Sequence, residues 1–377
     1  MISEPLQSEF NFSIDRISES DWSVALNTFA DANFYQTWSY GKLNWNMGIP
    51  SHFVLEKKGN IVALAQLRIV RIPFIEKGIA YLARGPVWKL RNTKPDFEIF
   101  RMVIKLLYNK YVIEKGLLLR IRPNEIMDGN DALHKILCDE GFSKKTFPPD
   151  RTLLIDLTPS IDELRQNLVR KWRQALARAE RLSSLNLDCG TTNEHYQIAL
   201  DIYREMHGRK QFAEFVDMEK HRLAQQDLPD FLKMKIMICR LNDEPIAALG
   251  WSTIGETGLP LIAATGNKSI ALSTNASNLL WWKMIENMKT QGCKFCDVGG
   301  IDPILNPGGY KFKSGLVGKN GRDVFFLNPY EACNDPASSF LVNIGEQIRH
   351  RSQKFKIKLR NKNNDPKEAD TSVIDNS

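Results

Sequence analysis

The two halves of this chain repeat one order of predicted elements, and this repeat constrains the fold more than any other feature. Each half contains a helix, a hairpin, a longer helix, a glycine and a strand. The hairpins span 52–70 and 234–249, the longer helices 97–114 and 279–290, and the final strands 117–122 and 294–298. Val62–Ala65 and Ile246–Leu249 are also alike in sequence. A helix that ends at a glycine and leads into a strand is typical of an α/β crossover.

The repeat predicts two tandem copies of one α/β (α+β) domain, each with a mixed sheet flanked by helices. The chain has 377 residues, enough for two or three domains. We expect domain 1 at 1–150 and domain 2 at 151–335. Residues 336–377 should form a basic C-terminal helix and a disordered tail. The join falls near Pro148-Pro149-Asp150, where a turn precedes an apolar strand at 152–157.

Composition places the chain among globular proteins of a reducing compartment. Hydrophobic residues make up 43% and charged residues 25%, and the polar segment 1–20 lacks the apolar core of a secretory signal. We therefore expect a cytoplasmic protein, with membrane association left open. Cys293 and Cys296 form a CxxC, but no second pair completes a zinc site. We expect both cysteines to pack in the core and expect no metal.

A net charge of +7 favours an anionic partner, and much of it lies in two predicted helices. The first begins at Ser160 with a Ser-x-x-Glu capping box and carries Arg173 and Arg178. The second spans 340–359 and combines an apolar stripe with many cations. Either helix could expose a solvated face or bind RNA. The second could instead lie on a membrane surface or dock onto its own domain.

The segment Asp297-Val298-Gly299-Gly300 begins where a strand should end, and 308–315 follows it with a second glycine pair and two lysines. Glycine pairs allow close approach or positive φ. The pattern predicts a glycine-rich, lysine-bearing loop at the lip of a site.

Four segments, taken with the repeat, resemble the FemABX aminoacyltransferases, which contain two acetyltransferase-like (GNAT-type) domains. The resembling segments are 33–42 (NFYQTWSYGK), 79–87 (IAYLARGPV), 202–210 (IYREMHGRK), and 297–300 (DVGG) with 310–315 (YKFKSG). The resemblance covers about residues 21–330. It implies transfer of an amino acid from aminoacyl-tRNA, as co-substrate, to the peptide of a nucleotide- or lipid-linked peptidoglycan precursor. No further cofactor is implied.

The resemblance also implies roles for particular residues. Lys313 matches the lysine implicated in catalysis. A lysine is a cation at neutral pH and can stabilise the oxyanion formed when an amine attacks an ester. Lys42 and Arg209 match the residues that bind the precursor's diphosphate. The substrate-binding set further includes Arg84, Tyr310 and Phe312, and the structural loop comprises Asp297, Gly299 and Gly300.

The sequence departs from ordinary acetyl-CoA enzymes before the last helix of the second domain. Residues 271–278 (ALSTNASN) lack the glycine-rich loop whose N–H groups hold a pyrophosphate. An N-acyltransferase that uses acyl-CoA or acyl carrier protein, on an amino sugar or another envelope substrate, remains the alternative. A non-catalytic RNA- or membrane-binding protein is favoured by charge alone. The chain also has no heptad run for the coiled-coil arm that some relatives carry.

Overall fold

The computed structural model describes residues 9–43, 48–72, 74–146, 149–210 and 218–363. The predicted disordered tail beyond 363, and Pro148 of the predicted join, lie outside the described residues. The strands are β1 Phe10–Ile14, β2 Ile49–Lys57, β3 Asn60–Arg71, β4 Gly78–Ala83, β5 Leu118–Arg122, β6 Ser143–Lys144, β7 Arg151–Asp156, β8 Leu185–Gly190, β9 Lys235–Leu241, β10 Glu244–Ser252, β11 Thr257–Thr265, β12 Phe295–Gly300, β13 Arg322–Phe325 and β14 Tyr330–Ala332. The α-helices are α1 Glu19–Leu26, α2 Trp38–Leu43, α3 Phe97–Leu107, α4 Asp131–Asp139, α5 Ile161–Asn167, α6 Arg170–Glu180, α7 Asn193–Lys210, α8 Met218–Gln226, α9 Lys268–Thr274, α10 Ala276–Thr290, α11 Pro307–Val317 and α12 Pro336–Asn363.

Two seven-stranded mixed sheets confirm the predicted repeat. Their orders are β1-β2-β3-β4-β5-β14-β6 and β8-β9-β10-β11-β12-β7-β13. Each has an antiparallel meander and then one parallel pair, β4–β5 or β11–β12. The crossover helices are α3, which continues as a π-helix at Tyr108–Glu114, and α10.

The chain's C-terminal part crosses back into the first domain, so the predicted boundary at 335 needs correction. β14 pairs with β5 and β6 of the first sheet. In the second sheet the corresponding place beside β12 is taken by β7. β5 therefore needs a partner for its backbone groups from elsewhere in the chain, and β14 supplies it. α12 then packs against β4 and β5, so the predicted C-terminal helix docks onto the first domain.

The basic segment after Ser160 forms two helices where one was expected. The capping box between Ser160 and Glu163 is confirmed. Leu168, however, adopts an extended ψ of 141° and ends α5, and α6 starts two residues later. Leu168 and Trp172 are both buried in the core of the second domain, and the turn between the helices lets both side chains reach it. Cys293 and Cys296 pack in the same core, as predicted.

The two domains share an apolar core. Trp22 and Leu64 of the first domain lie in one buried cluster with Leu232 and Ile254 of the second. Gly255, the residue after Ile254 of this cluster, has a φ of +76°. A Cβ at Gly255 would lie 2.2 Å from the backbone oxygen of Ala32, so the close contact between the domains requires glycine.

Candidate functional site

Lys313 lies on a helix, and the expected glycine-rich loop at 308–315 is therefore a wrong prediction. Asn306 caps α11 by accepting a hydrogen bond from the Gly309 N–H at 3.0 Å, and Pro307 occupies the first turn. Asn followed by Pro is a helix-start signal that the glycines obscured. The helix directs Lys313 back onto the end of β12.

The ammonium group of Lys313 contacts the last two residues of that strand. Lys313 Nζ donates to Gly299 O at 3.3 Å and to Gly300 O at 3.0 Å. Asp297, Gly299 and Gly300, predicted as a loop, belong to β12 itself. The register against β7 shifts between Asp297 and Gly300, and Gly299 has a φ of +78°. This irregularity turns both carbonyl groups towards the lysine.

β11 and β12 diverge at this point. Two residue pairs join them, at Thr257–Phe295 and Gly258–Cys296, whereas β4 and β5 stay paired over five positions. A Cβ built on Gly299 would lie 3.6 Å from Lys313 Nζ and 3.9 Å from Pro260 O. Lys313 therefore lies at the mouth of the gap between two parallel strands, where a substrate group can approach it.

The Asp297 carboxylate compensates the lysine charge. It accepts hydrogen bonds from Thr152 Oγ1 and from the Gly299 N–H at 2.8 Å. Burial raises the pKa of Asp297, and these hydrogen bonds and the charges of Arg84 and Lys313 oppose that rise. Burial likewise lowers the pKa of Lys313, and the charge of Asp297 raises it. Each group thus favours the ionised form of the other.

The first domain contributes Tyr35 and Arg84 to the same place. Burial raises the pKa of Tyr35. The charge of Arg84 lowers that pKa, and the charge of Asp297 raises it. Arg84 has a φ of +52° and stacks at 4.2 Å over the ring of Phe326, and it forms an ion pair with Asp150. Arg84 Nη1 is buried and, within the described part of the chain, has no hydrogen-bond partner. The site therefore lies between the domains and offers an unsatisfied cationic donor.

Comparisons with known proteins agree with this architecture. Residues 166–314 match the acetyltransferase (GNAT) domain family. The crystal structure of FemX superposes with a TM-score of 0.72 at 14% identity, over 88% of this chain and 99% of that one. The chain has the fold of FemX. The expected tandem GNAT fold and its resemblance to FemX are confirmed, and the match to the acetyltransferase (GNAT) domain family supports the acyltransferase class.

Two further structures share the fold with lower similarity. A conserved protein of unknown function from Bacteroides thetaiotaomicron has a TM-score of 0.57 at 14% identity, over 86% of this chain and 99% of that one. The C-terminal domain of a protein described as a lysylphosphatidylglycerol synthetase, from Agrobacterium fabrum, has a TM-score of 0.53 at 12% identity, over 86% and 94%. Comparison with curated protein sequences gives no match.

Within this FemX fold, Lys42 and Arg209 have contacts separate from those of Lys313. Lys42 Nζ forms an ion pair with Glu19 at 2.9 Å. Arg209 donates to the backbone oxygen of Thr265, the last residue of β11, at 3.1 Å, and to the backbone oxygen of Gly266, which follows it. Both side chains are held in place by these partners, and their binding of a diphosphate remains a prediction.

Phe312 and Tyr310 pack beneath the lysine. The Phe312 ring lies 5.8 Å from Trp172 and 5.7 Å from Trp281, which joins α11 to α6 and α10. Tyr310 packs against the same core, and Lys313 Nζ lies 5.9 Å from the Trp281 ring centroid. These contacts fix α11, and substrate contact by either aromatic residue stays a prediction.

Sequence reasoning missed a cavity of about 570 Å³ between the first sheet and α12. Three arginines line it, Arg68, Arg120 and Arg122. Arg68, Tyr81 and Arg120 stand opposite one another on adjacent strands, and the alternation Arg-Ile-Arg at 120–122 was the available signal. Asp150 pairs with both Arg122 and Arg84, so the cavity adjoins the Lys313 site.

Neither a metal centre nor a membrane-crossing helix emerges from the part of the chain that the structure describes. Over those ranges, no group of three or more His, Cys, Asp or Glu side chains is arranged to hold a metal ion. Among the helices in that same part of the chain, none has the length and apolar content to cross a bilayer.

Proposed function

We propose that this protein transfers an amino acid from aminoacyl-tRNA to an amine in the peptide of a peptidoglycan precursor. The observation that carries the proposal is Lys313 at the mouth of the gap between β11 and β12, beside Asp297 and next to the first domain. The similarity to the fold of FemX, with a TM-score of 0.72, supports it.

The reaction needs alignment and charge stabilisation. The acceptor amine attacks the ester carbonyl and forms the C–N bond. The C–O bond to the terminal ribose then breaks, and the ribose oxygen leaves with a proton lost by the amine. The ester is already activated, so no ATP is consumed. Lys313 would stabilise the negative charge on the carbonyl oxygen, because a fixed cation in a water-poor site acts strongly on developing charge.

The segment before α10 supports an RNA-linked donor. In the place of an open pyrophosphate loop, the chain forms the short helix α9 and then Asn275 in a left-handed conformation. In the first domain, the Asp96 side chain caps the N-terminus of α3 and Glu98 lies in its first turn. Carboxylates at that helix end disfavour a bound pyrophosphate.

A basic helix lies beside the candidate site. α6 packs against α11 through Trp172 and Phe312, and it exposes the side chains of Lys171, Arg178 and, at its end, Arg181. These cations would contact the phosphates of tRNA. The arginines of the 570 Å³ cavity would face anionic groups of the acceptor, whether nucleotide- or lipid-linked.

The test is turnover with defined donors. The purified full chain would be incubated with a charged tRNA mixture or with acyl-CoA, and with a nucleotide-linked or a lipid-linked muropeptide. We expect product only with charged tRNA, loss of product after RNase treatment, and weaker tRNA binding as salt rises. Robust RNase-insensitive turnover with acyl-CoA would contradict the proposal.

That contrary result would select the second candidate, an N-acyltransferase that uses acyl-CoA or acyl carrier protein. One observation favours it, the match of residues 166–314 to the acetyltransferase (GNAT) domain family. The same Lys313 would then stabilise the oxyanion from a thioester, and the basic helix α6 would carry no RNA.

A further inference from the structure

The hairpin between β3 and β4 exposes two large apolar side chains at its tip. Phe74 is completely exposed, and Ile75 next to it is half exposed. Turn residues in a globular protein are usually polar, and exposure of a Phe–Ile pair to water is unfavourable in free energy. A partner surface that covers the tip would bury these side chains and remove the unfavourable exposure.

A second exposed apolar row lies on α12. Phe340, Ile344 and Ile348 follow one another at intervals of four residues and so share one side of the helix. Phe340 is 64% and Ile348 63% exposed. The opposite side of α12 is already used, because Leu341 and Val342 line the cavity against the first sheet. The exposed row is thus additional to the contact that docks α12.

Specific contacts hold the tip beside the start of α12. Lys77, the last residue of the turn, forms an ion pair with Asp335 at 2.7 Å. Ser338, in the first turn of α12, accepts a hydrogen bond from the Gly78 N–H at 3.4 Å and donates one to Gly116 O at 2.7 Å. The base of the tip and the start of α12, from which the row extends, are therefore neighbours. We name residues 74–77 with Phe340, Ile344 and Ile348 the hairpin–helix surface.

Cations are frequent in the chain segments that form and follow the hairpin–helix surface. Arg71 and Lys77 flank the tip, and Lys110 and Lys115 lie in the neighbouring segment before Gly116. The sequence of α12 then carries seven cations and no carboxylate between 347 and 363. They are Arg349, Arg351, Lys354, Lys356, Lys358, Arg360 and Lys362. Four carboxylates close to the surface are paired, Glu76 with Arg71, Asp335 with Lys77, Glu114 with Lys110 and Glu346 with Arg120.

We propose that the hairpin–helix surface docks this protein onto an anionic lipid bilayer. Exposed aromatic and aliphatic side chains next to a cation-rich stretch of sequence suit the boundary between anionic headgroups and acyl chains. RNA would be served by the cations but would leave Phe74 and Ile348 in water. A second copy of the chain would bring like charges together. The bilayer is the one occupant that satisfies both the apolar and the basic components.

The test is binding of the full chain to vesicles, which needs no enzymatic activity. Flotation would compare vesicles of equal parts phosphatidylglycerol and phosphatidylcholine with vesicles of phosphatidylcholine alone. We expect binding to the anionic vesicles that weakens with salt. Phe74→Ser and Ile348→Ser should each reduce the partition coefficient about ten-fold. Phe231→Ser is the matched control, since Phe231 is 52% exposed on the second domain.

Several results would overturn the proposal. The first is failure of the wild type to float with anionic vesicles at low salt. The second is an equal effect of Phe74→Ser and Phe231→Ser on binding. Protein that binds RNA oligonucleotides through the same residues and ignores vesicles would assign the surface to nucleic acid. Concentration-dependent dimers abolished by Phe74→Ser, without vesicle binding, would assign it to a second copy. A thermal melt of each variant verifies that the fold is kept.

Discussion

The ammonium group of Lys313 lies 3.0 Å from the backbone oxygen of Gly300, the last residue of β12. Asp297, three residues before Gly300, supplies the compensating charge. The candidate site thus depends on a strand end and a helix that are adjacent in the chain, and on Tyr35 and Arg84 from the other domain.

Lys313→Met should abolish transfer while the fold is retained, because Met preserves the packing of the side chain and removes its charge. Loss of an oxyanion partner costs about 100- to 1000-fold in kcat. Lys311→Met is the matched control, as Lys311 is exposed on the same helix. Single-turnover rates would be compared, and near wild-type turnover of Lys313→Met would remove this lysine from the mechanism.

Asp297→Asn should move the alkaline limb of the pH–rate profile to lower pH. Burial lowers the pKa of Lys313 and the charge of Asp297 raises it, so removal of that charge lets the lysine lose its proton at lower pH. Activity that needs the protonated lysine would then decline earlier as pH rises. The measurement is kcat across pH for both proteins, and an unmoved limb would show that Asp297 does not act through Lys313.

Arg209→Ala and Lys42→Ala should raise the acceptor KM more than they lower kcat. Phosphate contacts that are equal in the ground and transition states give uniform binding. An acceptor without its phosphates should lose its disadvantage against the phosphorylated one in these variants. A full preference for the phosphorylated acceptor would instead assign Arg209 only to its contacts with Thr265 and Gly266.

Asp31→Asn should stabilise the protein more at pH 8 than at pH 5. Burial raises the pKa of Asp31 to about 7, and the folded state therefore binds a proton that the unfolded state has lost. Wild-type stability should fall as pH rises from about 4 towards 7, by about 2–4 kcal/mol from this group. The amide oxygen of the variant can still accept from the Trp88 and Lys89 N–H groups, as the Asp31 carboxyl does.

Denaturant unfolding at both pH values would check the Asp31 prediction. Asp243→Asn is the control, since Asp243 lies exposed in the β9–β10 turn. An Asp31→Asn variant whose stability follows the wild-type pH dependence would contradict the linkage.

Gly255→Ala should destabilise the protein far more than Gly292→Ala. Both glycines have positive φ, +76° and +80°. The added Cβ at Gly292 meets no described atom within 4 Å, so that variant reports the backbone penalty of about 1 kcal/mol. At Gly255 the Cβ would clash with backbone oxygens of Ala30 and Ala32 across the domain contact. Equal free energies of unfolding for the two variants would show that this contact yields easily.

Local signals in the sequence were sufficient for most of the elements. The repeat, the capping box at Ser160 and the burial of Cys293 and Cys296 were all predicted, because periodicity and capping act within a few residues. The helix α11 was missed although its signal, Asn306-Pro307, was present, because the glycines that follow normally disfavour a helix.

Elements whose position depends on pairing with distant parts of the chain could not be predicted from local sequence signals. β14 has three residues, and its place beside β5 depends on which backbone groups the first sheet leaves unpaired. The cavity arginines come from strands of the first sheet and are closed in by a C-terminal helix that lies far away in sequence. No local pattern encodes that closure.

The sequence by itself determined two similar α/β units and the residue types of the site, since hydrophobic periodicity and turn chemistry are local properties of the chain. Only the tertiary structure decided which of those residues meet. Tyr35, Arg84 and Asp297 come together because the two domains share one buried apolar core and because Gly255 lets their backbones touch. Such contacts follow from the packing of whole surfaces, which no short segment specifies.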